Sequence, residues 1–224
     1  MPAEHDPGES TRTVFDRLGD VGLVPVVTID DAEHATSLGA ALLAGGLPCA
    51  EITFRTAAAA ASIETLAEAH PEMLIGAGTV LTVEHAEAAL AAGSRFIVTP
   101  GFDVTIVDWC LAHGVPVAPG VMTPTEINLA VRKGLGFLKF FPAEAAGGAR
   151  ALTAIGAAYP DIEFMPTGGI DGDNLATYLR LPMVSACGGS WVAPRTSIAR
   201  GDFAEIERRA AAAADIVRVV RAGA

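Results

Sequence analysis

Lysine is almost absent from this chain. Its 224 residues carry two lysines, Lys133 and Lys139, against thirteen arginines. The basic surface is made of arginine, so each lysine needs its own explanation. Cysteine is as sparse: Cys49, Cys110 and Cys187 are odd in number and far apart, which excludes a disulfide framework and zinc-site spacing. In apolar strand-like runs such as those around Cys49 and Cys187, a free cysteine behaves as a small hydrophobe. Aromatic residues make up only 6% of a chain that is 51% hydrophobic, a balance that suits helices on a parallel sheet better than an all-β sandwich. Positive charge is short by eleven, which argues against nucleic acid or an anionic membrane as the main partner. A small anionic substrate is not excluded, since it senses only its own pocket. Long hydrophobic runs are missing too: the alanine-rich residues 57–61 are soon interrupted by Glu64, too short to span a bilayer. Residues 1–7 are polar and acidic, the reverse of a secretory signal. The expectation is a soluble cytoplasmic protein with residues 1–10 as a flexible tail.

What the chain does contain is a rhythm. A short helix over residues 11–18 is followed by apolar strand-like runs at 24–28, 49–54, 74–80, 95–99, 115–119, 137–141, 162–166 and 183–187. Helical patterns occupy 30–45, 56–70, 82–92, 103–113 and 203–220, and Thr123-Pro124-Thr125-Glu126 has the cap, proline and acid of a helix start. Eight short strands alternating with helices predict one α/β domain over residues 1–224, a (β/α)8 TIM barrel with a short N-terminal helix.

The organising stretch is Phe137-Leu138-Lys139-Phe140-Phe141-Pro142-Ala143. Residues two apart on a strand share a face, so Phe137, Lys139 and Phe141 point together and the ammonium is expected between two rings. Burial disfavours the charged form of an amine and frees it to act as a nucleophile. The bland alternative is an edge-strand lysine whose head stays in water. Lys133 supplies the contrast: Val131-Arg132-Lys133-Gly134 reads as a helix end, where a cation suits the dipole.

Barrel sites form at the carboxyl ends of strands, often with phosphate bound after strands seven and eight. Glu51, Thr53 and Arg55 fall there with strand spacing. Glu51 lies in an otherwise apolar strand, where an unpaired carboxylate is costly; it is either half of a structural ion pair or a general acid/base beside an anion-binding arginine. Thr167-Gly168-Gly169 and Gly188-Gly189-Ser190 follow the last two strands, and their glycines let a phosphate approach backbone N–H groups. One glycine pair is often just a turn, but two in these positions point to a phosphate. His34, His70, His85 and His113 fall in or at the ends of helices, and no metal-ligand cluster forms at the strand ends.

Seven blocks in order, Glu51-Ile52-Thr53-Phe54-Arg55-Thr56, Gly76-Ala77-Gly78-Thr79-Val80, Thr99-Pro100-Gly101, Pro119-Gly120-Val121-Met122-Thr123-Pro124-Thr125-Glu126, Lys139-Phe140-Phe141-Pro142-Ala143, Pro166-Thr167-Gly168-Gly169-Ile170 and Gly188-Gly189-Ser190-Trp191, resemble 2-keto-3-deoxy-6-phosphogluconate (KDPG) aldolases. These Schiff-base enzymes of the Entner–Doudoroff pathway often also take 4-hydroxy-2-oxoglutarate. The resemblance implies that Lys139 forms an imine with the 2-keto group and that Glu51 moves the protons. It implies that Arg55 and Thr79 hold the carboxylate, that Pro100 and Phe141 shape the pocket, and that Thr167, Gly168, Gly169, Gly189 and Ser190 bind the phosphate. It further implies a homotrimer, no metal and no other cofactor. The related phosphogalactonate aldolases lack this Thr-x-Arg block, so the chain leans to the gluconate-type substrate. The other readings are a phosphogalactonate aldolase, a phosphate-binding barrel enzyme in which Lys139 acts only electrostatically, and a sugar-phosphate-binding protein that retains the barrel without catalysis.

Overall fold

A computed structural model describes residues 11–223; the tail expected over residues 1–10 lies outside them. In chain order the strands are β1 (Leu23–Val27), β2 (Cys49–Thr53), β3 (Leu74–Gly78), β4 (Phe96–Val98), β5 (Val117–Ala118), β6 (Gly120–Val121), β7 (Phe137–Phe140), β8 (Glu163–Pro166) and β9 (Cys187–Gly189). The helices are α1 (Thr11–Val21), α2 (Ala35–Ala44), α3 (Ala59–Ala69), α4 (Val83–Ala91), α5 (Val104–Ala112), α6 (Pro124–Arg132), α7 (Gly148–Gly156), α8 (Leu175–Leu179), α9 (Arg195–Ala199) and α10 (Phe203–Ala222). The fold is α/β, with two all-parallel ladders in the orders β5-β4-β3-β2-β1-β9 and β6-β7-β8. Among the described residues no helix is long and apolar enough to cross a membrane.

Helix starts follow local chemistry. Thr82 Oγ1 accepts from the His85 N–H at 3.2 Å and Asp103 Oδ1 from that of Ile106 at 3.0 Å, each satisfying a donor the first turn leaves open. At α6 the Glu126 carboxylate accepts from the N–H groups of Met122 and Thr123, both at 2.8 Å.

Two strands depart from expectation. The fifth run splits into β5 and β6 because Pro119 has no N–H for the ladder, although its carbonyl still accepts from Lys139 N–H at 3.0 Å. The last strand lies later than its apolar signal. Residues 183–186 give only an isolated bridge, Phe164 to Val184, and the ladder with β1 is made by Cys187, Gly188 and Gly189. Glycine backbones pair without the side-chain signature that marks a strand.

Strand alternation separates two apolar layers. Ala50, Ile52, Leu138, Phe140 and Phe164 join the large layer with the helices. Cys49, Leu74, Phe96, Phe137 and Met165 form a smaller inner layer with Val14, Phe15 and Leu18 of α1. Phe15 stacks on Phe137 at 4.3 Å between ring centroids with planes 4° apart. This inner layer is the floor beneath the polar residues of the same strand faces. Phe15→Ala should therefore cost about 3 kcal/mol in urea denaturation, within the usual range for a buried phenylalanine; a loss below about 1 kcal/mol would mean that α1 does not hold the floor.

Candidate active site

Above that floor the inner strand faces turn polar. Glu51 is on β2 and Lys139 on β7, 0% and 4% exposed. The Lys139 Nζ donates to Glu51 Oε1 at 3.2 Å. Glu51 Oε2 is buried with no hydrogen-bond partner, an acceptor aimed at nothing within the protein. The pair survives burial because each charge answers the other; removing one partner of such a pair typically costs about 3–5 kcal/mol.

Glycines make the room. On β3, paired with β2 in the register Glu51–Gly76 and Thr53–Gly78, a Cβ on Gly78 would collide with Glu51 Oε1 and one on Gly76 with the Phe96 ring. Gly120, paired with Lys139, lies so close to the Pro100 carbonyl that a Cβ would overlap it. This contact fixes the loop carrying Pro100, with Thr99 Oγ1 donating to the Gly101 carbonyl at 2.6 Å.

Lys139 does not sit between two rings. Its Nζ lies 5.2 Å from the centroid of Phe141, whereas Phe137 points to the floor and stacks on Phe15. A shared strand face still leaves two residues about 7 Å apart along the strand axis, so Phe137 lies a layer below. Lys133 is where the helix-end reading puts it, at the close of α6 and 2.5 Å from Asp108.

Arg55, in the turn after β2, is exposed. Its Nε donates to Thr53 Oγ1 at 3.2 Å, and Thr53 Oγ1 donates to the Val27 carbonyl at 2.8 Å. Thr28, absent from the sequence expectations, is 3.0 Å from the same hydroxyl. Thr79 follows Gly78 directly and is the one non-glycine with positive φ among the described residues, at 55°. Left-handed backbone in a β-branched residue costs about 1–3 kcal/mol and concentrates at functional positions.

After β8, Thr167 is buried while Gly168 and Gly169 adopt φ of 99° and 78°, values an L side chain rarely takes. The carbonyls of Thr167, Gly168 and Gly169 accept from Ala143 N–H (2.8 Å), Glu144 N–H (3.0 Å) and Asn174 Nδ2 (2.9 Å). The N–H groups of Gly169 and Ile170 have no acceptor among the described residues. An isolated bridge joins Thr167 to Gly188, bringing this loop beside Gly189 and the exposed Ser190. Backbone donors grouped this way suit an anion.

Sequence reasoning missed Glu144 and Tyr178. Tyr178, 1% exposed on α8, donates its hydroxyl to Glu144 Oε1. Burial lifts its phenol above the ordinary range, and the hydrogen bond and charge of Glu144 add to the shift. Glu144 lies just past the Lys139 block and carries no periodic signal of its own.

The layout is that of a parallel α/β enzyme, with a buried amine–carboxylate pair at strand carboxyl ends. The family model for KDPG and KHG aldolase matches residues 14–209. A 2-dehydro-3-deoxy-phosphogluconate aldolase of Treponema pallidum is 48% identical over 194 residues, 87% of this chain and 92% of that protein. The KDPG aldolase of Legionella pneumophila, solved with pyruvate captured at low pH as a covalent carbinolamine intermediate, superposes with a TM-score of 0.86 at 37% identity, covering 91% of this chain and 98% of that one. The Zymomonas mobilis enzyme solved with 3-phosphoglycerate gives 0.85 at 34% identity, over 92% and 96%. The chain belongs to the KDPG and KHG aldolase family.

Because Gly78 makes room for the Glu51 carboxylate, Gly78→Ala should cut kcat/KM about a hundredfold by misplacing it. Wild-type turnover in a folded Gly78→Ala protein would show that the carboxylate position does not matter.

Proposed function

We propose that this chain is a class I aldolase that splits KDPG into pyruvate and glyceraldehyde 3-phosphate, and also accepts 4-hydroxy-2-oxoglutarate. The observation that carries the reading is the 3.2 Å contact between Lys139 Nζ and Glu51 Oε1 at the buried strand ends, with Oε2 unpartnered beside it. The family assignment and the covalent carbinolamine of the Legionella relative support it.

In this reading Glu51 takes a proton from Lys139, and the neutral amine adds to C2 of the keto acid. Glu51 returns that proton as the carbinolamine hydroxyl leaves as water, and a protonated imine remains, an electron sink in line with the C3–C4 bond. Glu51 then removes the C4 hydroxyl proton as that bond breaks; the aldehyde leaves and an enamine stays on Lys139. Returning the proton to C3 and adding water releases pyruvate and restores the amine. One carboxylate serves every step because its oxygens are held beside the nitrogen.

Arg55 and Thr79 hold the substrate carboxylate, and Pro100 and Phe141 wall the pocket. The donors of Thr167, Gly168, Gly169, Gly189 and Ser190 take the phosphate. The two ladders close as a single eight-strand barrel. Only Pro119 separates β5 from β6, and the bridges Phe164–Val184 and Thr167–Gly188 span the other seam. The barrel is one domain and works as a homotrimer. Of the six large apolar side chains left exposed among the described residues, five (Leu81, Val104, Leu111, Met122 and Val131) fall between residues 81 and 131, and the proposed subunit contact draws on that stretch. Three buried free thiols, with that of Cys49 pushed up to about 12 by burial, suit the reducing cytoplasm.

A coupled assay of pyruvate release from KDPG tests the reading. Wild-type protein turns over, Lys139→Ala falls to the background rate, and Glu51→Gln loses about 10²–10³ in kcat with little change in KM. Turnover retained in Lys139→Ala would defeat the proposal.

A further inference from the structure

The loop of Gly168 and Gly169 is held in its shape from outside. Its three successive carbonyls are occupied by donors from residues 143, 144 and 174. Both glycines are left-handed, a conformation that glycine enters without steric cost and also leaves easily. Something has to keep Gly169 there. The side chain of Glu144 packs against it, so closely that a Cβ on Gly169 would lie 2.6 Å from Glu144 Cβ and 2.7 Å from its Cγ. Glu144 is fixed in turn, its backbone by the bond to the Gly168 carbonyl and its carboxylate by the Tyr178 hydroxyl. Tyr178 is buried to 1% exposure, so its ring cannot swing away. A carboxylate loose beside backbone donors would compete with an anion for them; bonded to Tyr178, it is anchored towards α8.

We propose that Glu144 and Tyr178 are positioning residues that hold the Gly168–Gly169 loop in its anion-binding shape, and that they set the preference for phosphorylated over unphosphorylated 2-keto acids. This rests on the reading that the loop takes the substrate phosphate. Neither residue touches the reacting carbons; each acts through Gly169.

The test compares Tyr178→Phe, Glu144→Ala and Glu144→Gln. Tyr178→Phe and Glu144→Ala raise the KM for KDPG about five- to tenfold and leave that for 4-hydroxy-2-oxoglutarate within about twofold. Glu144→Gln keeps the methylenes against Gly169 and an acceptor for the phenol, and stays close to wild type. Equal changes for both substrates, or none for either, would overturn the assignment. Calorimetric titration with 3-phosphoglycerate separates this from the aldolase reading, because it needs no turnover. If wild-type protein cleaves neither substrate yet binds 3-phosphoglycerate more tightly than both variants, the reaction is wrong and the loop assignment stands. If wild type and variants bind it alike, or none binds it, the loop assignment falls. Should Glu144→Ala fail to fold, as a melting curve would show, Tyr178→Phe decides alone.

Discussion

The site depends on keeping two opposite charges together in a buried position. Moving a carboxylate and an ammonium out of water costs several kcal/mol for each, and the cost is recovered only if the partners meet in good geometry. Here the geometry is built into the strands. Glu51 and Lys139 come from β2 and β7, in different ladders, and both use the inward positions of their strands. Gly78 clears the space for the carboxylate and Gly120 lets the Pro100 loop close over the neighbouring strand. Below, the Phe15–Phe137 stack and the inner apolar layer pack beneath the pair.

The far end of the site follows a different principle. No lysine or arginine is needed to attract an anion where backbone N–H groups converge, and in the proposed reading the Gly168–Gly169 loop, with its left-handed backbone, supplies them. Its conformation is borrowed from its neighbours. The chain that carries Lys139 on β7 goes on to Ala143 and Glu144, which bond the Thr167–Gly168 carbonyls at the end of the adjacent strand β8. One stretch of chain thus carries the amine and braces the Gly168–Gly169 loop.

Much of this was legible because strand periodicity is simple. An isolated lysine in an apolar run, and a glutamate likewise, stand out on the period-two faces, and the order of strands and helices followed from apolar runs and capping residues such as Thr82 and Asp103. What was illegible had no local signal. Gly188 and Gly189 form a strand by backbone pairing alone, and Pro119 splits another by lacking a single hydrogen. The position of Phe137 against Phe15 depends on how α1 crosses the strands. The Tyr178–Glu144 bond joins residues 34 apart in the chain, through loops whose path no periodicity encodes.

The central claim is that Lys139 forms the bond to substrate carbon. Incubation with pyruvate and borohydride, followed by intact mass and peptide mapping, tests it most directly. The account predicts one reduced pyruvate adduct, on Lys139, and none on Lys133, whose amine is held by Asp108 at the end of α6. Folded protein with no adduct, or with the adduct on Lys133, would contradict it.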